Sequence, residues 1–199
     1  MSSTDGLGAQ QAQVDALLVQ VLLPALASQG DAVGARTLVD LAEAHLATGG
    51  KRLRGTLPGA LVGAAGGETA GAHLFGACIE AVHNGTLVHD DIQDGDALRR
   101  GQPTLWKTHG VAQAINAGDA MLVGPLLALL RSDLFPPAMA AELARLLGEA
   151  LLETICGQVA DVAFHAATAP DLQTAVAIAG AKTVPLFRCA FEGSVVLLG

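Results

Sequence analysis

The stretch from His83 to Arg100, H-N-G-T-L-V-H-D-D-I-Q-D-G-D-A-L-R-R, restricts this chain more than any other. At 3.6 residues per turn, His83, Leu87, Asp90 and Asp94 fall on one stripe of a helix. Asp91 lies beside Asp90, so three carboxylates crowd the C-terminal end, where the backbone already carries about half a negative elementary charge. A like-charged cluster there is costly unless a cation neutralises it. Asp90 and Asp94, one turn apart, present hard oxygen donors in the same direction. That suits a six-coordinate ion such as Mg2+, which takes one or two carboxylates together with phosphate oxygens of a ligand. Gly95 turns the chain, and Arg99 and Arg100 follow. The carboxylates alone also fit a solvated acidic helix end; the remaining clusters favour a diphosphate site.

Alanine and leucine are abundant, β-branched runs are few, and the aromatics amount to five Phe, one Trp and no Tyr. Such segments build close-packed helices, and 199 residues suffice for one sizeable core. A net charge of −8 with no basic face argues against nucleic acid as a partner. Phosphate ligands stay open because the few Lys and Arg are clustered. Cys78, Cys156 and Cys189, widely spaced in apolar context, read as buried small hydrophobes of a reducing compartment. The N-terminus has no basic and apolar leader pattern, and no uninterrupted apolar run approaches the roughly 18 residues that span a bilayer. A soluble cytoplasmic protein is expected.

Apolar spacing at Val14, Leu17, Leu18, Val21, Leu22 and Leu26 predicts an amphipathic helix over 9–28, kinked at Pro24. A second helix over 33–47 is ended by Gly49-Gly50. A short buried helix over 57–65 follows, then a long one over 69–94 and a loop over 95–104. The stretch 111–131 reads as helical with an interruption at Gly124-Pro125, and Pro136-Pro137 opens a helix running to about 166. A last segment from Asp171 is expected to be disturbed between Gly180 and Pro185. No strand alternation or repeat appears. The expectation is one all-α domain over 1–199, ending on the uncapped apolar run 194–199 as though cut short.

Lys51 and Arg54, three apart behind the double glycine, can reach one anion from the mouth of a helix. Arg99-Arg100 carries two forks that can serve two phosphate groups. Pro185 cannot donate to the carbonyl of Ala181, so the helix is expected to break where Lys182 and Thr183 project. Gln158, Asp161 and His165 share a helical face. His165, like His45, His73, His89 and His109, reads as structural.

Together these residues resemble the all-trans polyprenyl diphosphate synthases, the head-to-tail isoprenoid synthases. The family's D-D-x-x-D stands as Asp90-Asp91-Ile92-Gln93-Asp94, and its R-R-G-x-P-T as Arg99 to Thr104. Its G-G-K-R-x-R stands as Gly49 to Arg54, and a histidine seven before the first aspartate as His83. G-Q-x-x-D stands as Gly157 to Asp161, and K-T as Lys182-Thr183. The resemblance implies an isoprenoid synthase-type helical barrel and an Mg2+-dependent prenyltransferase joining an allylic diphosphate to isopentenyl diphosphate. It implies that Lys51, Arg54, His83 and Arg100 hold isopentenyl diphosphate. Asp90 and Asp94, with Asp91 in support, would bind Mg2+, and Arg99, Lys182 and Thr183 would grip the allylic diphosphate with Asp161 nearby. A homodimer is implied likewise.

The sequence departs from the family in two respects. The second aspartate-rich motif does not occur in these 199 residues, so an incomplete barrel and a poorly active polypeptide are expected. Gly55 stands where the family usually has Pro, expected to affect only how a helix starts. Val82, Gly85 and Thr86 are the candidate cavity wall before Asp90; being small, they favour products of twenty carbons or more. A class I terpene cyclase or a non-catalytic subunit of the same fold are the alternatives. Lys51, Arg54 and Arg100 favour the synthase, since a cyclase has no need of an isopentenyl site.

Overall fold

The computed structural model describes residues 3–21, 34–165 and 171–199. The elements are α1 (Ser3–Leu18), α2 (Ala35–Leu46), α3 (Leu53–Ala64), α4 (Thr69–Gln93), β1 (Leu98–Arg99), β2 (Gln102–Pro103), α5 (Leu105–His109), α6 (Val111–Arg131), α7 (Pro137–His165) and α8 (Leu172–Leu198). The architecture is all-α, as expected. The Pro24 kink and the helix stretch around it lie outside the described residues, as does the side chain of His165.

α4 is the axis of the fold. It packs against α1, α3, α6, α7 and α8, and Phe75, Ala77, Cys78, Ile79, Ala81 and Val82 are fully buried along it. Val14 and Leu18 bury the predicted apolar face of α1, which ends at Leu18, and Val21 is buried in the turn after it. Gly49 and Gly50 both take positive φ, 81° and 151°, and end the α2 segment as glycine pairs do.

Three expectations about chain breaks and loops are corrected. α6 runs unbroken through Pro125, and α8 through Pro185. Each proline forfeits one intrahelical bond, but both are buried in packed helix faces, and tertiary packing outweighs the local penalty. The 95–104 loop contains an antiparallel hairpin pairing Leu98 with Pro103 and Arg99 with Gln102. Arg100 and Gly101 turn it with φ of 53° and 80°, the two positive values of a type I′ turn. Asp96 anchors the hairpin through its carbonyl, which accepts from Thr104 Oγ1 and Trp106 Nε1, both at 2.8 Å.

Gly55 does more than start a helix. A side chain there would meet Val14 Cγ1 at 2.9 Å, Glu80 Cβ at 3.0 Å and the Gly76 carbonyl at 3.0 Å, so α3 and α4 cross backbone to backbone at this point. Its N–H donates to Glu80 Oε2 at 3.0 Å, a bond that a proline could not make. Cys78 and Cys189 are buried as expected, whereas Cys156 is exposed. α6 and α8 are long and apolar enough to cross a bilayer by length and composition, although neither is an uninterrupted apolar run; α6 packs on α4, and α8 on α7.

Candidate active site

Helices α3, α4, α6, α7 and α8 surround a half-open cavity of about 700 Å³. Arg54 enters from the first turn of α3, His83, Thr86 and Asp90 from successive turns of α4, and Lys182 and Thr183 from α8. Of the stripe drawn from helical periodicity, His83, Leu87 and Asp90 face this space and Asp94 does not line it. Leu87, Leu122, Ile155, Val159 and Val162 supply an apolar wall.

Arg54 Nη1 lies 3.1 Å from His83 Nε2, and its guanidinium sits 4.7 Å above the Phe187 ring. Burial, reinforced by Arg54, Arg100, Arg99 and Arg52, lowers the His83 pKa to about 3. The ring is therefore neutral, and since Nε2 accepts from Arg54 its proton stands on Nδ1. Lys182 Nζ pairs with Asp161 at 2.6 Å. Gln158 Nε2 donates to Gln93 Oε1 at 2.7 Å, tying α7 to the end of α4.

The three aspartates have separate environments. Asp90 lines the cavity, and burial raises its pKa, with Lys182 opposing the shift and Asp94 adding to it. Asp94 is exposed at the C-cap of α4. Asp91 is buried and ion-paired: Arg99 Nε and Nη2 reach its Oδ1 at 2.7 and 2.6 Å. Its Oδ2 has no partner. Arg99 and Asp91 are thus turned to each other, and neither lines the cavity. Among the described residues no three His, Cys, Asp or Glu side chains form a ready-made metal cage.

Lys51 and Arg100 stand on the neighbouring turns and do not line the cavity. Arg100 donates to the Gly49 carbonyl, joining the hairpin to the glycine turn. Lys51 is exposed. Of the proposed wall, Thr86 faces the cavity, but Gly85 is pressed on α6, where a side chain would meet Leu122 Cδ2 at 2.9 Å and Met121 Cβ at 3.0 Å. Val82 is fully buried in the core. Gly85 and Val82 therefore serve packing.

Residues that motif spacing did not single out also border the cavity. His89, read as structural, lines it beside Asp119, with Nε2 3.4 Å from Oδ1. Its ring lies against Gly118, leaving no room for a side chain there. The signal was available as a histidine one residue before the aspartates and a Gly-Asp pair on α6, but only the fold brings them together. Arg52 and Glu80, both buried, were missed as well.

The chain matches the sequence profile described as Polyprenyl synthetase over residues 35–199. It is 39% identical over 150 residues to a (2E,6E)-farnesyl diphosphate synthase of Mycobacterium tuberculosis (strain ATCC 25618 / H37Rv), covering 75% of this chain and 41% of that protein. A geranylgeranyl diphosphate synthase of the same strain is 36% identical over 140 residues, 70% of this chain and 39% of that one. The polyprenyl synthetase structure from Streptomyces coelicolor A3(2) superposes with a TM-score of 0.85 at 27% identity, covering 100% of this chain and 58% of that chain. The chain thus spans about two fifths of the length of the curated relatives it matches.

Proposed function

The chain belongs to the polyprenyl synthetase family, and on that premise we propose that it serves prenyl transfer, condensing an allylic prenyl diphosphate with isopentenyl diphosphate to a longer all-trans polyprenyl diphosphate. The observation that carries this reading is the cavity lined jointly by Arg54, His83, Asp90 and Lys182, with apolar walls on α6 and α7.

Lys51, Arg54 and Arg100 bind the diphosphate of isopentenyl diphosphate, and neutral His83 offers its Nδ1–H to the same group. Arg54 is held for this by His83 and Phe187. Lys182, steadied by Asp161, and Thr183 take the allylic diphosphate. Arg99 keeps Asp91 in place and contributes positive potential from behind.

The donor set fits Mg2+: Asp90 and Asp94 are hard oxygen ligands one turn apart, and Asp90 is a desolvated carboxylate beside two others. These two residues would hold the ion, with Asp91 supporting the turn. When bound, Mg2+ neutralises negative charge on the leaving diphosphate. The allylic C–O bond breaks and the electron pair leaves with the diphosphate, whose charge Lys182 stabilises. The isopentenyl double bond forms the new C–C bond, and the proton released from the resulting cation passes to the departing diphosphate. Leu87, Leu122, Ile155, Val159 and Val162 keep water from the cation. Thr86, the one small residue of the expected wall that faces this space, supports products of twenty carbons or more. A homodimer is part of the reading and is checked by sedimentation velocity.

Calorimetry with isopentenyl diphosphate, with and without Mg2+, tests the proposal, followed by product analysis with labelled isopentenyl diphosphate and an allylic partner. Saturable isopentenyl diphosphate binding that Lys51→Ala or Arg54→Ala weakens at least tenfold supports it. Absence of binding overturns it.

A further inference from the structure

Arg52 sits between two cations assigned to the ligand, yet its side chain runs the opposite way. It adopts φ 49° and ψ 32°, a left-handed conformation that costs a non-glycine residue about 1 kcal/mol and turns the guanidinium inward, where it is 4% exposed. Nε donates to Asp15 Oδ1 at 2.8 Å, Nη2 to the Leu46 carbonyl at 3.2 Å, and Nη1 to the Gly49 carbonyl at 3.3 Å. Nη1 also lies 4.0 Å from Glu80 Oε1. Glu80, equally buried, accepts from Gly55 N–H through Oε2. One ion pair therefore fastens both ends of the 49–55 turn, its opening carbonyl and its closing N–H, to α1, α2 and α4.

We propose that Arg52 and Glu80 are positioning residues: a buried brace that holds the turn so that Lys51 and Arg54 meet a diphosphate together, without either member touching it. The inference rests on the diphosphate reading above and adds how that site is prepared. Lys51, Arg54 and Arg100 would repel one another on an unsupported loop. Arg100 and Arg52 already flank Gly50 so closely that a side chain there would stand 3.0 Å from one Nη1 and 3.1 Å from the other. Glu80 is the buried carboxyl facing Arg52, Arg54 and Arg100, whose charges oppose the rise in pKa that burial gives it, and it stabilises the assembly before a ligand arrives. A lysine at 52 keeps the charge but not the fork that reaches four partners at once.

The test is calorimetry of the 199-residue chain with inorganic pyrophosphate, in the absence of Mg2+, on wild type, Arg52→Lys, Lys51→Ala and the double variant, with folding followed by circular dichroism. Arg52→Lys should weaken pyrophosphate binding about tenfold or more. The loss should be mostly absent when Lys51 is already alanine, because a misplaced turn costs little once its cation is gone; a general loss of structure would add in full. A folded Arg52→Lys that binds within twofold of wild type, or whose loss adds in full to that of Lys51→Ala, overturns the brace. If Arg52→Lys does not fold, Asp15→Asn, which loosens the same guanidinium from its exposed side, is put through the same cycle with the same criteria. Wild type that fails to bind pyrophosphate overturns the diphosphate reading, and the brace with it. Binding that is unchanged in Lys51→Ala and Arg54→Ala does the same.

Discussion

The two ends of the cavity solve opposite electrostatic problems in different ways. At the basic end, Arg52 is answered by Asp15 and Glu80, and His83 stays neutral beside Arg54. Its counter-charges are built into the fold, Glu80 buried and Asp15 at the surface. At the acidic end, Arg99 neutralises Asp91, but Asp90 and Asp94 are left at a helix C-terminus where negative charge is disfavoured. A site whose counter-charges belong to the fold is preorganised for an anion; one left short of them is completed by a cation from outside.

The contrast makes the basic end a foundation of stability and the acidic end dispensable to it. Glu80→Ala should show the largest effect. It takes one of two carboxylates from the buried Arg52 guanidinium and leaves the buried Gly55 N–H without its acceptor, and loss of one partner of a buried ion pair costs up to about 3–5 kcal/mol. Urea denaturation would show it as a lower midpoint; a loss below about 1 kcal/mol would break the comparison. Asp90→Asn should be the converse. Stability is unchanged or slightly higher, while turnover in an assembly that has it, or Mg2+-dependent binding of an allylic diphosphate, falls on the order of a hundredfold.

The division between the two ends was only partly legible in the sequence. Motif spacing and helical periodicity found Arg54, His83, Asp90 and Lys182, and those four line one cavity. Arg52 and Glu80 were invisible because nothing local distinguishes an inward-turned arginine from its outward neighbours. The left-handed φ at Arg52 and the α3–α4 crossing at Gly55 and Gly76 are tertiary facts. Pro125 and Pro185 misled in the other direction. The rule that proline breaks a helix weighs one lost hydrogen bond, and packing on both helix faces outweighs it.

Acidification should separate the buried histidines from the buried carboxylates, Glu80 of the basic end included, by sign. His83 and His45 are held at about 3 and about 4, both chiefly by burial, with arginines adding to it. Their unfolded values lie near 6.5, so below that pH the unfolded chain takes up protons that the folded chain refuses. Stability therefore falls as the pH drops from 7 to 5.5, with a slope of up to about 1.4 kcal/mol per pH unit for each histidine. Asp90 and Asp91 have raised values; they hold protons more readily in the folded chain and favour it on acidification. Chemical denaturation at several pH values should give a slope that His83→Gln reduces, leaving the shares of His45 and of His73, which burial also lowers. A slope unchanged in that variant would mean that His83 is not held neutral. Mg2+ affinity should weaken on acidification, because the raised Asp90 carboxyl takes up a proton that the ion must displace.

The smallest expected effect is the sharpest test of the acidic end. Asp94 is exposed and stands at the C-cap of α4 beside the last carbonyls of the helix. Charge of that sign at that end is unfavourable by about 0.3–1 kcal/mol. Asp94→Ala should therefore raise Tm slightly in chelator, the reverse of what removing a structural contact would do. In wild type, Mg2+ with pyrophosphate should raise Tm in proportion to its binding to the folded chain alone, and in Asp94→Ala most of that rise should vanish. A variant that loses stability in chelator, or keeps the full response to Mg2+, would show that Asp94 belongs to the framework and that both ends are built alike.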